Sequence, residues 1–557
     1  MEVINMSENK RSDMTDRGFL MLVLALGAFV IWLKFKFQII MVYLKWRLAI
    51  ALFITILILF SFLKLKKKFL SVFKEKDIEN DVIKPKENED AVYAGMSDTG
   101  KSVFIKQTFR RMHTQIVGTT NAGKTESVIL PWAIDDIKKG RGLLMIDGKS
   151  DSNLLDKLYA YAKKHHREQD IRILSICNVD ISHTFNPLAG GTALEVAERV
   201  FNALNFENEY FKSIQYDAFL HCLLILDSAK IKATPYRVIE CLKSEKVLSE
   251  LAVESQNERL ISWSKDFLKL SRDEREQRTS GLVAQLQSFT VGEMAGIFNC
   301  EQSDINLERA LENGEIIYCQ LPALKIPTLG KATGKMILQC LQSAVGSRHL
   351  GKYQDQKFFS VYLDDFTEYL TPNFVTLLNK SRSANVGIVF AHQALGDLKA
   401  LGDGVMNTIL TNSNLKIFMR TNEPESANYF SEVIGTAEGA KITERQKQSL
   451  FGSEKTGDGS VREVEEFKFH PNIFKQSLGI GEAVIILPHE KGSLPIRLKF
   501  KKSFDLDKPN IPKINKTEPL SLARKMEVAA AAEKSVTQDP VENIIGAILS
   551  EQKRKAS

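Results

Sequence analysis

Apolar and polar positions follow several rhythms along this chain, and the changes of rhythm mark its organisation. Two uncharged stretches come first, Phe19–Leu33 (FLMLVLALGAFVIWL) and Leu48–Leu63 (LAIALFITILILFSFL). Lys34, Lys36, Arg47 and Lys64 at their ends can extend toward water, and Trp32, Tyr43 and Trp46 suit a membrane interface. The pattern predicts two membrane-spanning helices at about 18–37 and 47–64. Further on, short apolar runs read as buried strands: Thr114–Val117 (TQIV), Gly142–Ile146 (GLLMI), Phe358–Leu363 (FFSVYL), Val386–Phe390 (VGIVF), Leu415–Arg420 (LKIFMR) and Ala483–Leu487 (AVIIL). Glu126–Lys139 has helical periodicity between the first two. Strands alternating with helices predict an α/β body around a parallel sheet. Between Gly190-Gly191 and about Gly296 the apolar runs vanish and helical periodicity takes over, as in Ala193–Leu204 and Arg278–Ser288. An all-α domain therefore interrupts the α/β one.

Charge sharpens the first boundary. The 557 residues carry a net +7, but residues 1–76 hold 13 Lys/Arg against 5 Asp/Glu, a local +8 that leaves −1 for the rest. The basic balance belongs to the N-terminal segment and says nothing of a nucleic-acid-binding body. Nine Lys/Arg flank the two apolar stretches on their outer sides (Lys10, Arg11, Arg17, Lys64, Lys66, Lys67, Lys68, Lys74, Lys76), against four in the connecting loop. That asymmetry puts both termini, and the body after residue 77, in the cytoplasm. Six cysteines without a CxxC exclude a zinc ribbon or a disulfide framework and fit a reducing compartment. At 44% hydrophobic and 26% charged, the chain is neither disordered nor fibrous.

The phosphate-loop pattern GxxxxGK[ST] occurs twice, at Gly95–Ser102 (GMSDTGKS) and Gly118–Thr125 (GTTNAGKT). A working loop needs a buried strand before it and a helix after it, so that backbone N–H groups converge on the phosphates. Only the second match has both. The first lies between two short β runs around Asp98-Thr99-Gly100, which is hairpin chemistry. Gly118, Thr119, Thr120, Asn121, Ala122, Gly123, Lys124 and Thr125 are thus the candidate ATP cradle. Lys124 would reach the β/γ oxygens, and the Thr125 hydroxyl would bind Mg²⁺. The strand FFSVYL ends in Asp364-Asp365, and two adjacent carboxylates at a buried strand end call for a cation. Asp364 suits the Mg²⁺ shell and Asp365 the activation of water. Asp147 also ends a strand, either as a further site carboxylate or as a turn former. Gln393 follows VGIVFAH, where it could sense the γ-phosphate.

These motifs carry a resemblance. GTTNAGKT, LLMIDGKSD, Phe185–Leu188 (FNPL), VYLDDFTEYL, Lys380–Gln393 (KSRSANVGIVFAHQ) and IFMRTNEPESANYFSEVIG, in that order, resemble the TraD-like coupling ATPases of conjugation and type IV secretion. Those are similar to the FtsK/HerA group of hexameric ring motors. The resemblance implies an α/β fold in which a RecA-like P-loop nucleotide-binding domain, interrupted by an all-α domain, follows two transmembrane helices. It divides the chain into a membrane anchor (1–76), the RecA-like domain in two parts (77–190 and 297–504), the all-α domain (191–296) and a flexible C-terminal tail (505–557). The tail's Val541–Glu551 is either part of that flexible run or a docking helix.

By position, the resemblance makes Gln393 a sensor and Arg382 an arginine reaching the neighbouring subunit's nucleotide. It implies a multi-pass protein of the bacterial inner membrane, a homo-hexamer with ATP and Mg²⁺ that engages relaxase-bound single-stranded DNA and type IV secretion channel components. A coupling ATPase that recruits protein effectors without DNA is the alternative. One departure matters: the family usually reads Asp-Glu where this chain has Asp364-Asp365, so the general base is either Asp365 or Glu368.

Overall fold

A computed structural model describes residues 90–516 except 207, 323, 352–355, 450, 451, 490 and 491, together with residues 21, 23–39, 41, 43, 45–47, 50, 52–56, 58–60 and 522. Of 438–449, 452–463 and 489 it describes the backbone alone. The chain forms two compact units, Met1–Ile78 and Glu79–Ser557. In the first, the described residues are helical, and large apolar side chains such as Met21, Ile31, Phe35, Phe53 and Leu59 are exposed. No helix among the described residues is long and apolar enough to cross a membrane. Residues 18–20, 22, 48, 49, 51, 57 and 61–64 of the two expected spans lie outside the described residues.

The second unit contains strands β1 (Ala91–Ser97), β2 (Ser102–Lys106), β3 (Thr114–Val117), β4 (Gly142–Asp147), β5 (Ile171–Ser175), β6 (Ile316–Gln320), β7 (Phe359–Asp364), β8 (Val386–His392), β9 (Leu415–Phe418), β10 (Thr436–Ser449), β11 (Gly452–Phe467), β12 (Glu482–His489) and β13 (Gly492–Phe500). All but β10 and β11 join one mixed sheet in the order β2-β1-β13-β12-β9-β3-β8-β7-β4-β6-β5. The seven strands from β9 to β5 are parallel to one another. Runs such as LLMI in β4 and the whole of β8 are buried on both faces, as such a sheet demands. The other four add antiparallel to the free side of β9. Among the described residues β10 and β11 pair only with each other, as a long separate two-stranded sheet.

The helical insert leaves the sheet after β5 and returns at β6, two strands that are hydrogen-bonded neighbours. Its helices are Ala193–Ala203, Glu209–Ser228, Pro235–Lys243, Glu245–Glu254, Glu258–Lys269 and Arg272–Gln287. Each opens on a residue whose side chain accepts a first-turn N–H: Thr192, Asn208, Thr234, Ser244, Asn257 and Ser271. Val200, Phe219, Leu223, Leu248 and Leu282 pack as a core of their own.

Residues 501–516, of which 505–516 begin the expected flexible tail, lie along the body as an extended strap. Phe504 O accepts from the Tyr161 hydroxyl at 2.7 Å, Asp505 and Lys508 pair with Lys157 and Asp156, and Lys513 pairs with Asp180 at 2.6 Å. Leu522 is buried in the helical core, its N–H donating to Glu240 Oε2 at 2.8 Å. Ion pairs and backbone bonds hold a segment that has no hydrophobic period to read.

Three imidazoles, the buried His113 and His392 and the half-buried His183, are pushed down to about 4 by burial. His113 shows why: Nε2 donates to Leu378 O at 2.8 Å while Nδ1 accepts from Ile388 N–H at 3.2 Å, an arrangement open only to the neutral ring. An unfolded histidine titrates near ~6.5, so between that pH and about 4 the unfolded chain binds more protons and stability falls as pH falls. His113→Gln, which can also donate and accept once each, should make the loss of stability over this window shallower by about one proton. Urea unfolding at pH 7 and pH 5 checks it. An unchanged slope would mean that His113 takes up its proton in the folded protein.

Candidate nucleotide site

β3 runs into the loop Gly118–Gly123, and a π-helical turn, Lys124–Ile129, leads into the helix Leu130–Lys138. Strand, loop and helix follow in the order that the second motif requires. The first motif makes the β1–β2 hairpin, with Met96 opposite Ser102 and Lys101 in its turn. Gly123 sits at φ 97°, where a side chain would be strained and a Cβ would come within 3.0 Å of Gly481 N. At Gly118 a Cβ would fall 2.8 Å from the Cβ of Met419. Asn121 is also left-handed, at φ 64°. The loop is pinned by Gly118 N–H to His392 O at 3.2 Å, Thr119 N–H to Arg420 O at 2.9 Å, and Ala122 O accepting from Gly481 N–H at 2.9 Å.

β8 lies between β3 and β7, so Asp364 and Gln393 emerge on the edge where the loop turns. The Thr125 hydroxyl donates to Asp364 Oδ2 at 2.6 Å across this gap. Lys124 is 5% exposed and donates to Gly118 O at 2.7 Å; burial lowers its basicity. Burial raises the Asp364 carboxyl above the usual range, and its Oδ1 is buried without a hydrogen-bond partner. A hydroxyl and a carboxylate oxygen lacking a partner are hard donors of the kind Mg²⁺ takes, so the residues present fit that ion. Thr120 Oγ1 lies 3.4 Å from Gln393 Oε1. Asp397 Oδ2 accepts from the Gln393 and Ala394 N–H groups at 2.9 and 3.1 Å, which fixes the start of that turn.

Asp365 takes a left-handed conformation, φ 50°, and its Oδ2 lies 3.0 Å from Lys149 Nζ. Glu368 is engaged instead with Lys331 at 2.9 Å. Of the two candidate bases, Asp365 stands among the site's charges. Asp147 resolves as a turn former: its carboxylate accepts from the N–H groups of Lys149, Ser150 and Asp151 and from the Tyr318 hydroxyl at 2.7 Å, while burial pushes it up to about 6.

Arg382 is not brought to this edge. It is exposed, directly after the helix Phe374–Ser381 and before β8, at the sheet's opposite end.

Sequence reasoning missed Lys149, Asp397 and a buried network behind the acidic strand. In that network Arg110 donates to Asp136 at 2.8 and 2.7 Å and to Tyr362 at 2.7 Å, and Tyr362 donates to Asp136 at 2.5 Å. It ties β7, two residues before Asp364, to the helix that follows the phosphate loop.

Residues 359–467 match the family described as the TraM recognition site of TraD and TraG. The type 4 coupling protein DotL of Legionella pneumophila is 21% identical over 405 residues, 62% of this chain and 52% of DotL. The chain thus spans about half the length of that curated relative. The bacterial conjugative coupling protein TrwB, in its trigonal form with sulphate, has the same fold: TM-score 0.55 at 13% identity, over 76% of this chain and 93% of that one. TrwB in complex with ADP and Mg²⁺ gives 0.54 at 13% identity, over 79% and 95%. That fold includes the helical insert.

Proposed function

We propose that this chain, a type IV coupling protein of the TraD/TrwB/DotL-like kind, hydrolyses ATP to drive relaxase-bound single-stranded DNA into a type IV secretion channel at the bacterial inner membrane. The observation that carries the reading is the 2.6 Å contact between Thr125 and Asp364, which joins the phosphate loop to the acidic strand end across β8. Gly118–Thr125 would wrap the phosphates with backbone N–H groups, and Lys124 would leave Gly118 O for the β/γ oxygens. Thr125 and Asp364 would hold Mg²⁺, which when bound offsets the charge of the phosphoryl oxygens. Asp365 would take the proton of the attacking water, and Gln393, fixed at its backbone by Asp397, would orient that water.

The exposed apolar helical residues between 21 and 60 support a membrane anchor, with both termini and the ATPase body cytoplasmic. A homo-hexameric ring is the assembly that the family resemblance implies, and the exposed Arg382 is placed where it could face a neighbouring protomer. Conjugation, in the name of TrwB, favours DNA over protein effectors as the cargo.

Turnover of the full chain in detergent, with single-stranded DNA, double-stranded DNA or none, tests the reading. Single-stranded DNA should stimulate most. Turnover indifferent to both DNAs would remove DNA as the cargo and leave the protein-effector alternative.

A further inference from the structure

Lys149 is held at the site by more than its own ion pair. The turn that carries it is fixed by the three N–H groups and the tyrosine hydroxyl that Asp147 accepts, and by Gln320 Nε2 donating to Ser150 O at 3.2 Å. The backbone of this turn has little freedom. The side chain has more: it is 48% exposed, and its ammonium lies 3.0 Å from Asp365 Oδ2. Lys124, the other cation nearby, directs its donors to Gly118 O and Thr119 O. The Asp364 and Asp365 charges hold the Lys149 ammonium above its usual range despite the burial that opposes it. The Lys149 ammonium is thus paired with Asp365 and acts on Asp364, a neighbouring carboxylate with a buried, partnerless oxygen.

We propose that Lys149 is an exchangeable counter-ion of the nucleotide site, which competes with the divalent cation for the Asp364–Asp365 pair and is displaced as that cation binds. The inference rests on the nucleotide reading above. A doubly charged ion at Thr125 and Asp364 would repel the ammonium and remove its hold on Asp365, freeing that carboxylate to turn toward water. Lys149 is then a positioning residue, acting through Asp365 and through the ion.

Binding of a fluorescent ADP analogue to the full chain in detergent tests this without turnover. With EDTA, Lys149→Met should weaken binding about tenfold, the scale of one charge-assisted hydrogen bond, because the phosphates then face uncompensated carboxylates. The Mg²⁺ concentration giving half-maximal ADP binding should fall about tenfold, since no ammonium competes, and at saturating Mg²⁺ the variant should match wild type. Lys149→Arg, which keeps the charge, should stay near wild type throughout. Equal weakening at every Mg²⁺ concentration would make Lys149 a direct phosphate ligand and overturn the exchange. No change at any concentration would overturn it as well. Lys124→Ala run alongside separates the two ideas: if it binds ADP as wild type does, the nucleotide reading fails, whatever Lys149 does.

Discussion

Lys124→Ala is expected to abolish nucleotide turnover, while Lys101→Ala leaves it at the wild-type rate. The two lysines occupy the same place in two copies of one pattern, so the pair isolates context from motif. Lys124 follows a fully buried central strand and starts the turn into a helix whose next residue, Thr125, touches Asp364. Removing its ammonium takes away the one cation of the loop that can follow charge onto the transferring phosphoryl group. Losses on the order of 10²–10³ accompany removal of a single such stabilising donor, and more is expected where the donor is charged. Lys101 lies in the turn of the β1–β2 hairpin at the outer edge of the sheet, with no helix behind it to gather N–H groups. Phosphate release from the two purified variants decides the matter. If Lys101→Ala stops turnover and Lys124→Ala does not, the wrong loop has been chosen.

That contrast shows what was legible in the sequence and what was not. Strand–loop–helix order separates the two motifs because a buried parallel strand and an amphipathic helix each write a period of their own. β5 and β6 went unread although IRILS and IIYCQ are as apolar as the strands that were found. Each borders helical sequence, where a run of five residues suits a strand or a helix interior equally; runs of the same length such as Gly142–Ile146 were told apart by the motif beside them. The six N-caps of the insert were visible in principle, since Thr, Asn or Ser opens every helix. β10 and β11 were not, because a polar stretch such as TERQKQS has little strand propensity and is paired only by its partner strand. Lys149 with Asp365, and Asp136 with Tyr362, pair residues more than 200 positions apart. Such contacts are set by the order of strands in the sheet, which no local pattern encodes.

Arg382→Ala is expected to preserve ATP binding and to lose hydrolysis. β8 puts Gln393 at the nucleotide edge of its own subunit, and its seven residues span roughly 20 Å, so Arg382 at the other end is out of reach of that nucleotide. Its backbone is nevertheless held firmly for an exposed residue. Arg348 Nη1 donates to Ala384 O at 2.7 Å, His349 meets Lys380 O at 2.9 Å, and His113 donates to Leu378 O at 2.8 Å. Two buried anchors, from Arg348 and His113, and an exposed one from His349, on a segment whose arginine faces solvent, suit a guanidinium presented to another molecule. In a ring, that molecule is the next protomer, and the guanidinium would offset charge on its transferring phosphoryl group. Contributions of this kind are worth on the order of 10³–10⁵ in rate. Because each active site would then draw Lys124 from one subunit and Arg382 from the next, mixing Arg382→Ala with Lys124→Ala protein should restore part of the activity that each lacks alone. Two catalytically dead preparations that stay dead at every mixing ratio, under conditions where the subunits demonstrably co-assemble, would remove Arg382 from the shared site. Wild-type turnover by a dilute, monomeric Arg382→Ala preparation would do the same from the other side, since a monomer has no neighbour to complete it.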